Sequence, residues 1–401
     1  MAAVAGALAF VAGLAWPLLL LTLNTSSDDE RLYLLNAAVG GAIVYLLLGG
    51  FLAAQATSAL GGATSSPMPF GWAPYLLPFF PFCIVIGQLI ATNPHSLPWL
   101  FPAINVAMVS IPSVVIAAVV ARRYTAANAF CWPISWREWT SGFTYGAIGA
   151  TTMASIVNSL YIRLMAAWLV SIHNIPGDLD TAVLELPRRW GIFLDLSALS
   201  LVAPLNEEFW KGMLVAFFFF RRGSAARCFV WGVLAGTGFN LLETFVNSLG
   251  AISPEALADR TIGTEWWWFA TARAGTAAMH GLASGLSALG FYGLLRGRPR
   301  YILGYGGGVL LHGTWNLLVY AVWGDAIFSQ AGPDSLALDI VGISGMVLVF
   351  AASLGLLWYL SGALTDGVPA HIYRVLRMRP ATAPPASELQ PAPPPLSRVH
   401  W

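Results

Sequence analysis

An all-α, polytopic bundle of about ten membrane-crossing helices is the fold predicted by this sequence, on three observations. Hydrophobic residues make up 57% of the chain and charged residues only 10%, with a mean hydropathy of +0.69, where a soluble domain carries roughly 25% charge. Runs of about twenty apolar residues, bounded by charge, Pro or Gly, recur along the chain, and that is the length a helix needs to cross a bilayer. Finally, arginines and acids alternate between successive connections. The net charge of +1 excludes a basic surface for nucleic acid. Cys83, Cys131 and Cys228 are too few and too scattered for a disulfide framework or a cysteine metal site.

Taken in order, the predicted spans lie near 4–22, 34–54, 71–91, 100–121, 142–162, 192–220, 228–249, 267–295, 301–323 and 339–362. The first lacks a basic leader and a small-residue cleavage site, so it reads as a retained span. The third is interrupted by Pro74, Pro78 and Pro81. Arg122, Arg123 and Arg137, then Arg221, Arg222 and Arg227, then Arg296, Arg298 and Arg300, and lastly Arg374, Arg377 and Arg379 fall in alternate connections. The positive-inside rule makes those connections cytoplasmic, together with both termini. The intervening connections carry acids: Asp28, Asp29 and Glu30; Asp178, Asp180 and Glu185; Glu255, Asp259 and Glu265; Asp325 and Asp334. Trp132, Trp136 and Trp139 at one face and Trp266, Trp267 and Trp268 at the other suit interfacial aromatic belts. This divides the chain into an N-terminal bundle (1–191), a polar core of spans six to nine (192–323), a tenth span (324–366) and a tail (367–401). The tail is basic, then Pro-rich, and reads as a disordered cytoplasmic extension. The location implied is a cell membrane, with lipid as a constant partner.

The polar residues are unevenly shared. The first five spans are nearly bland. The sixth carries Ala203-Pro204-Leu205-Asn206-Glu207-Glu208-Phe209-Trp210-Lys211-Gly212, with two adjacent carboxylates and the only lysine. A charge at the centre of a membrane helix costs roughly 2.5 to 3.5 kcal/mol on insertion scales, so three together mark a function more often than a packing device. Glu207 and Glu208 stand four and three residues before Lys211, which brings both carboxylates within reach of its ammonium. Pro204 has no N–H and predicts a kink or break, after which Asn206 would cap a second half-helix.

Each of the next three spans adds to the set. Span seven has Gly238-Phe239-Asn240-Leu241-Leu242-Glu243. Span eight has Arg273 and, two turns on, His280. Span nine has His312 and Asn316 side by side at i and i+4. Counted at about 1.5 Å per residue from the nearest cytoplasmic arginine, Glu207 lies ~20 Å deep, Glu243 and His280 ~24 Å, His312 ~18 Å and Asn316 ~24 Å. The shared slab predicts one site. Gly232 and Gly236, Gly281 and Gly285, and Gly304 and Gly308 form G-x-x-x-G pairs that allow spans seven to nine to pack closely.

Carboxylates, imidazoles and a carboxamide in a water-poor cavity suit attack of water on an amide, with a glutamate as base and with the histidines and Asn316 as donors to the oxyanion. The same imidazoles and carboxylates could instead hold zinc with a position left open for water, Glu208, Glu243, His280 and His312 being the available ligands. The cofactor is therefore either none or Zn2+. There is no H-E-x-x-H. Gly342-Ile343-Ser344-Gly345 looks like a rhomboid serine motif, but no span follows it to carry a histidine. Two other functions use the same residue types: a proton- or cation-coupled transporter, which would favour an inverted repeat that the sequence does not show, and a non-catalytic scaffold.

Glu207-Glu208-x-x-Lys211, Phe239-x-x-x-Glu243, Arg273 followed by His280, and His312-x-x-Trp315-Asn316 resemble, in this order, the four motifs of the PrsW family of intramembrane proteases, related to CAAX-prenyl endopeptidases and bacterial Abi proteins. The likeness covers about 203–320. One departure is Thr244, where the family pattern has asparagine. The resemblance implies endopeptidase cleavage of membrane-anchored protein substrates, such as an anti-sigma factor, near the outer face. It further implies Glu207 and Glu208 for water activation, His280 and His312 as further catalytic groups, and Glu243 in place of a histidine of the prenyl-protein endopeptidases. Lys211 and Arg273 are supporting residues. The family pattern leaves a glutamic and a metal-dependent mechanism both open.

Overall fold

The computed structural model describes residues 28–364 apart from 69, 94–96, 129–132, 216–222, 253–264 and 328–335, with further described positions between 6 and 15. Most of the span expected at 4–22, the arginines at 221, 222, 374, 377 and 379 and the tail from 367 lie outside the described residues. Among the described residues there is no strand, and the one extended pairing is an isolated bridge between Pro67 and Ser135.

The helices in order are α1 (28–60), α2 (Phe79–Thr92), α3 (Phe101–Ala127), α4 (Trp136–Ile172), the single turn α5 (Leu179–Ala182), α6 (188–214), α7 (Ala225–Ala251), α8 (Glu265–Leu295), α9 (Ile302–Ile327) and α10 (Leu336–Ala363). Five of the described helices are long and apolar enough to cross a membrane: 30–60, Pro98–Ala127, Trp136–Ile172, Ala225–Ala251 and Ala337–Ala363. The segment expected at 71–91 differs. It is a 3₁₀ turn at Phe70–Leu76 followed by an α-helix of 14 residues. Pro74 lies within the 3₁₀ turn, Pro78 is the N-cap of the α-helix and Pro81 stands in its first turn, where no N–H is bonded within the helix. The helix therefore starts at the prolines and does not run through all of them.

Three helices contain a wider π turn, at Asn36–Gly40 in α1, Tyr145–Ala150 in α4 and Ser197–Val202 in α6. Such turns shift the face that all later residues present and concentrate at functional positions. α4 begins in a capping box, in which Ser135 Oγ accepts from Glu138 N at 3.3 Å and Glu138 Oε2 accepts from Ser135 N at 3.0 Å. Glu138 also accepts two hydrogen bonds from Arg227, at 2.8 and 2.7 Å, and so ties the start of α4 to α7.

The core is built on α7, which is buried along most of its length and packs most extensively against α8 and then α4. The glycine pairs make that packing possible. A Cβ at Gly236 would overlap the carbonyl oxygen of His280, and one at Gly308 would overlap that of Ala283. Both neighbours are backbone, so only a residue without a side chain fits. The outer faces of α4 and α10 are apolar and exposed, with Leu164 at 63% and Leu348 at 69%. Apolar faces of this extent suit contact with hydrocarbon.

Candidate active site

The stretch around Pro204 forms a helix that changes register without breaking. Ala203 N donates to Ala198 O, five residues back. In that register the carbonyl of Leu199 would look to the nitrogen of Pro204, which carries no hydrogen. Asn316 of α9 supplies the missing donor, its Nδ2 lying 2.8 Å from Leu199 O. Gly313, one turn before Asn316, lets α9 approach the same turn, where a Cβ would come 2.5 Å from Ser200 O. The expected cap at Asn206 does not form. Asn206 lies inside the helix, and its Nδ2 donates to Ala154 O at 2.9 Å and to Asn158 Oδ1 at 2.8 Å, both on α4. The physical reason is the π turn: because the helix continues through Pro204, there is no free N-terminus for Asn206 to cap.

The register change turns Glu207, Glu208 and Lys211 inward, where side chains of α4, α7, α8 and α9 meet them. Glu208 and Lys211 are fully buried and Glu207 nearly so. Lys211 Nζ lies 2.8 Å from Glu208 Oε1 and 3.4 Å from Glu207 Oε2, as the spacing predicts. It also donates to His280 Nδ1 at 2.9 Å and stands 3.9 Å above the ring of Phe239, a face that attracts cations. Glu208 is the most tightly held group of the site. Besides Lys211 it accepts from His312 Nδ1 at 3.1 Å, from Ser284 Oγ at 3.0 Å and from Ser287 Oγ at 3.3 Å. A carboxylate can only accept, so His312 donates from Nδ1, and its Nε2 lies 3.7 Å from Glu207 Oε2. The rings of His280 and His312 meet edge to face at 4.5 Å.

Glu243 stands at the wetter edge of the cluster, its side chain 26% exposed. Its Oε2 accepts from Arg273 Nη2 at 2.6 Å and from His280 Nε2 at 3.0 Å. Arg273 in turn donates from Nε to Thr244 Oγ1 at 2.9 Å. Thr244 therefore supplies a hydrogen bond to the second motif despite departing from asparagine. Seven of the eight residues expected from sequence are joined through these contacts: Glu207, Glu208, Lys211, Glu243, Arg273, His280 and His312. Asn316 is placed beside them, on the π turn. Sequence reasoning missed Ser284 and Ser287, although they follow His280 at i+4 and i+7 on the same helix face, which was a readable signal. It also missed Asn158, which donates to Glu207 Oε1 at 3.2 Å from the supposedly bland fifth span.

Donor atoms of Glu207, His280 and His312 all lie within 4.8 Å of one another. Two imidazoles and one carboxylate are the donor set of several catalytic zinc sites, which leave the fourth position open. The carboxylate of Glu208 at His312 Nδ1 is the outer partner that orients such a ligand. The residue types present fit zinc, with Glu207 in place of the Glu208 and Glu243 expected from sequence, provided that Lys211 Nζ gives up its bond to His280 Nδ1. Lys211 Nζ lies among the same atoms.

No curated protein and no solved structure matches the chain significantly. A family model does match, over residues 132–353, more than half of the chain and across all four motifs; its description is PrsW family intramembrane metalloprotease. Together with the apolar helices and the buried glutamate-histidine cluster, that match places the chain in the PrsW family, a membrane-embedded family of proteases.

Proposed function

We propose that the protein is an integral-membrane endopeptidase that hydrolyses peptide bonds of membrane-anchored proteins, anti-sigma-factor-like chains among them, at the cluster of Glu207, Glu208, Lys211, Glu243, His280 and His312. The observation that carries this reading is the convergence, from α6, α8 and α9, of one carboxylate and two imidazoles within 4.8 Å at a buried position. Two adjacent glutamates play different parts. Glu208 is saturated by an ammonium, an imidazole and two hydroxyls, so it fixes Lys211 and His312. Glu207 Oε2 has only long contacts, at 3.4 and 3.7 Å, and is the oxygen available to water. Glu243 orients His280 and is itself held by Arg273.

Glu207, His280 and His312 would hold a zinc ion, which when bound supplies Lewis acidity toward the scissile carbonyl and its attacking water. Lys211 favours a second, metal-free chemistry, because an ammonium already neutralises the cluster between Glu207 and Glu208. In it Glu207 accepts a proton from the attacking water, the new C–O bond forms, the C–N bond breaks, and the same proton passes to the leaving amine nitrogen. Lys211 then supplies positive charge near the developing oxyanion.

Metal analysis of the purified chain separates the two. About one zinc per chain, lost in His280→Ala and His312→Ala, supports the first chemistry; full cleavage activity without metal supports the second. The wider architecture belongs to the same proposal: ten spans in the plasma membrane, both termini cytoplasmic, with the chemistry in 192–323 and the site in the outer half of the bilayer.

A further inference from the structure

Glu207 and Glu208 are neighbours with unequal support. Glu208 has four hydrogen-bonding partners, whereas the shortest contact of Glu207 is a single neutral one, from Asn158 Nδ2 to Oε1 at 3.2 Å. Asn158 lies on α4, in a stretch where Ser155, Ile156, Val157, Ser159 and Leu160 are all exposed and Asn158 is half-buried. Its direction is set by a chain of obligatory roles. Ala154 O can only accept, so Asn206 must turn its Nδ2 toward it, at 2.9 Å. The second hydrogen of that amide points at Asn158, 2.8 Å away, which must answer with Oδ1. Asn158 is thereby left with Nδ2 facing Glu207. One backbone carbonyl of α4 thus determines, through two amides, which group meets the carboxylate.

The consequence for Glu207 is geometric. With Oε1 held toward α4, Oε2 is the oxygen turned to Lys211 and His312. We propose that Asn158 is a positioning residue for Glu207, with Asn206 fixing its amide, and that it sets the orientation in which Glu207 presents Oε2 to the histidine pair. The inference rests on the reading of Glu207 as the working carboxylate, and it assigns α4 a part in a site otherwise built by α6, α7, α8 and α9. Outer partners that orient a ligand typically change metal affinity by about 10- to 100-fold when removed.

The test uses Co2+ as a visible probe, titrated into the purified full-length chain in detergent after metal removal. Wild type, Asn158→Ala, Glu207→Gln and the double variant form a cycle, with Tyr161→Phe as the control. Tyr161 makes the neighbouring α4 to α6 hydrogen bond, to Ser197 at 2.9 Å, without touching the cluster. The expected result is an affinity about tenfold weaker in Asn158→Ala, no further loss when that change is added to Glu207→Gln, and wild-type affinity in Tyr161→Phe. Wild-type affinity in Asn158→Ala, with binding lost in Glu207→Gln, overturns the proposal and leaves the functional reading intact. An equal loss in Tyr161→Phe also overturns it, since helix docking alone would then explain the effect. If wild type binds no Co2+, or Glu207→Gln binds it fully, the zinc chemistry of Glu207 falls. The infrared carboxylate stretch, assigned to Glu207 by its disappearance in Glu207→Gln, then decides. It is expected to move in Asn158→Leu and to stay in Tyr161→Phe, and a band unmoved in Asn158→Leu overturns the proposal.

Discussion

Glu207 and Glu208 are chemically identical neighbours whose surroundings make them unlike. Glu208 is locked by Lys211, His312, Ser284 and Ser287, so its loss disturbs a buried network. Glu207 is held lightly and faces the histidines. Substituting Glu207 by Gln is expected to lower peptide cleavage by about 10²- to 10⁴-fold, the usual weight of a positioned acid-base group, while leaving the thermal midpoint near wild type. Glu208→Gln strips a buried ammonium of its closest partner, and breaking such a pair costs about 3 to 5 kcal/mol, so both activity and thermal midpoint are expected to fall. A thermal midpoint that falls more in Glu207→Gln than in Glu208→Gln would reverse these roles. At this scale much of the site was legible, because a charge inside an apolar run is costly and therefore conspicuous: Glu207, Glu208, Lys211, Glu243, Arg273, His280 and His312 all stand out that way. Neutral polar residues do not. Asn158 costs little to place in a membrane helix, so nothing in its own sequence setting distinguishes an anchor of the site from a bystander; Ser284 and Ser287 are marked only by their spacing from His280.

The elements add what residues alone do not show. A π turn is a change of hydrogen-bond register, and it has no composition of its own, so Ser197–Val202 was not legible; Pro204 announced a disturbance and left its form open. The form matters, because the turn releases the Leu199 carbonyl that Asn316 answers. Asn316→Leu is expected to leave that carbonyl unpartnered and to cost about 1 to 3 kcal/mol of stability, read as a lowered thermal midpoint in detergent. An Asn316→Leu chain as stable as wild type would place the role of Asn316 in the chemistry instead. Gly236 makes a sharper case. Its absent Cβ is the space occupied by the His280 carbonyl, so Gly236→Ala forces α7 and α8 apart beneath a site residue. Overpacking of this kind typically costs about 1 to 3 kcal/mol, and the displaced His280 is expected to lose activity beyond what the stability loss explains. The glycine pairs were legible as packing signals from their spacing alone. Which carbonyl each one meets depends on the mutual rotation of the helices, which spacing does not encode.

Over the whole molecule, the all-helical, membrane-spanning character follows from composition, since a chain this apolar has to satisfy its backbone groups internally. Residues 132–353 carry the family match, and the site helices α6, α7 and α9 pack around α8 within it. The third predicted span is where an apolar run is not one helix, because the helix starts only after Pro74 and Pro78 and is 14 residues long. The alternating arginines and acids predict that Arg137, Arg227 and Arg298 face the cytoplasm while Asp178 and Glu185 face outward. Single cysteines placed at these positions and labelled with an impermeant maleimide on intact cells test the topology. Labelling is expected only at 178 and 185, and labelling at 227 or 298 would contradict the ten-span arrangement.

The central claim is that the glutamate-histidine cluster cleaves membrane-anchored proteins. It is tested most directly by comparing membrane and released proteomes from cells carrying the wild-type chain and cells carrying Glu207→Gln at equal expression. The account predicts a single-span protein that stays intact in the variant and yields a released fragment only with wild type. Matching proteomes across several stress conditions would contradict it, and the cluster would then have to serve transport or scaffolding.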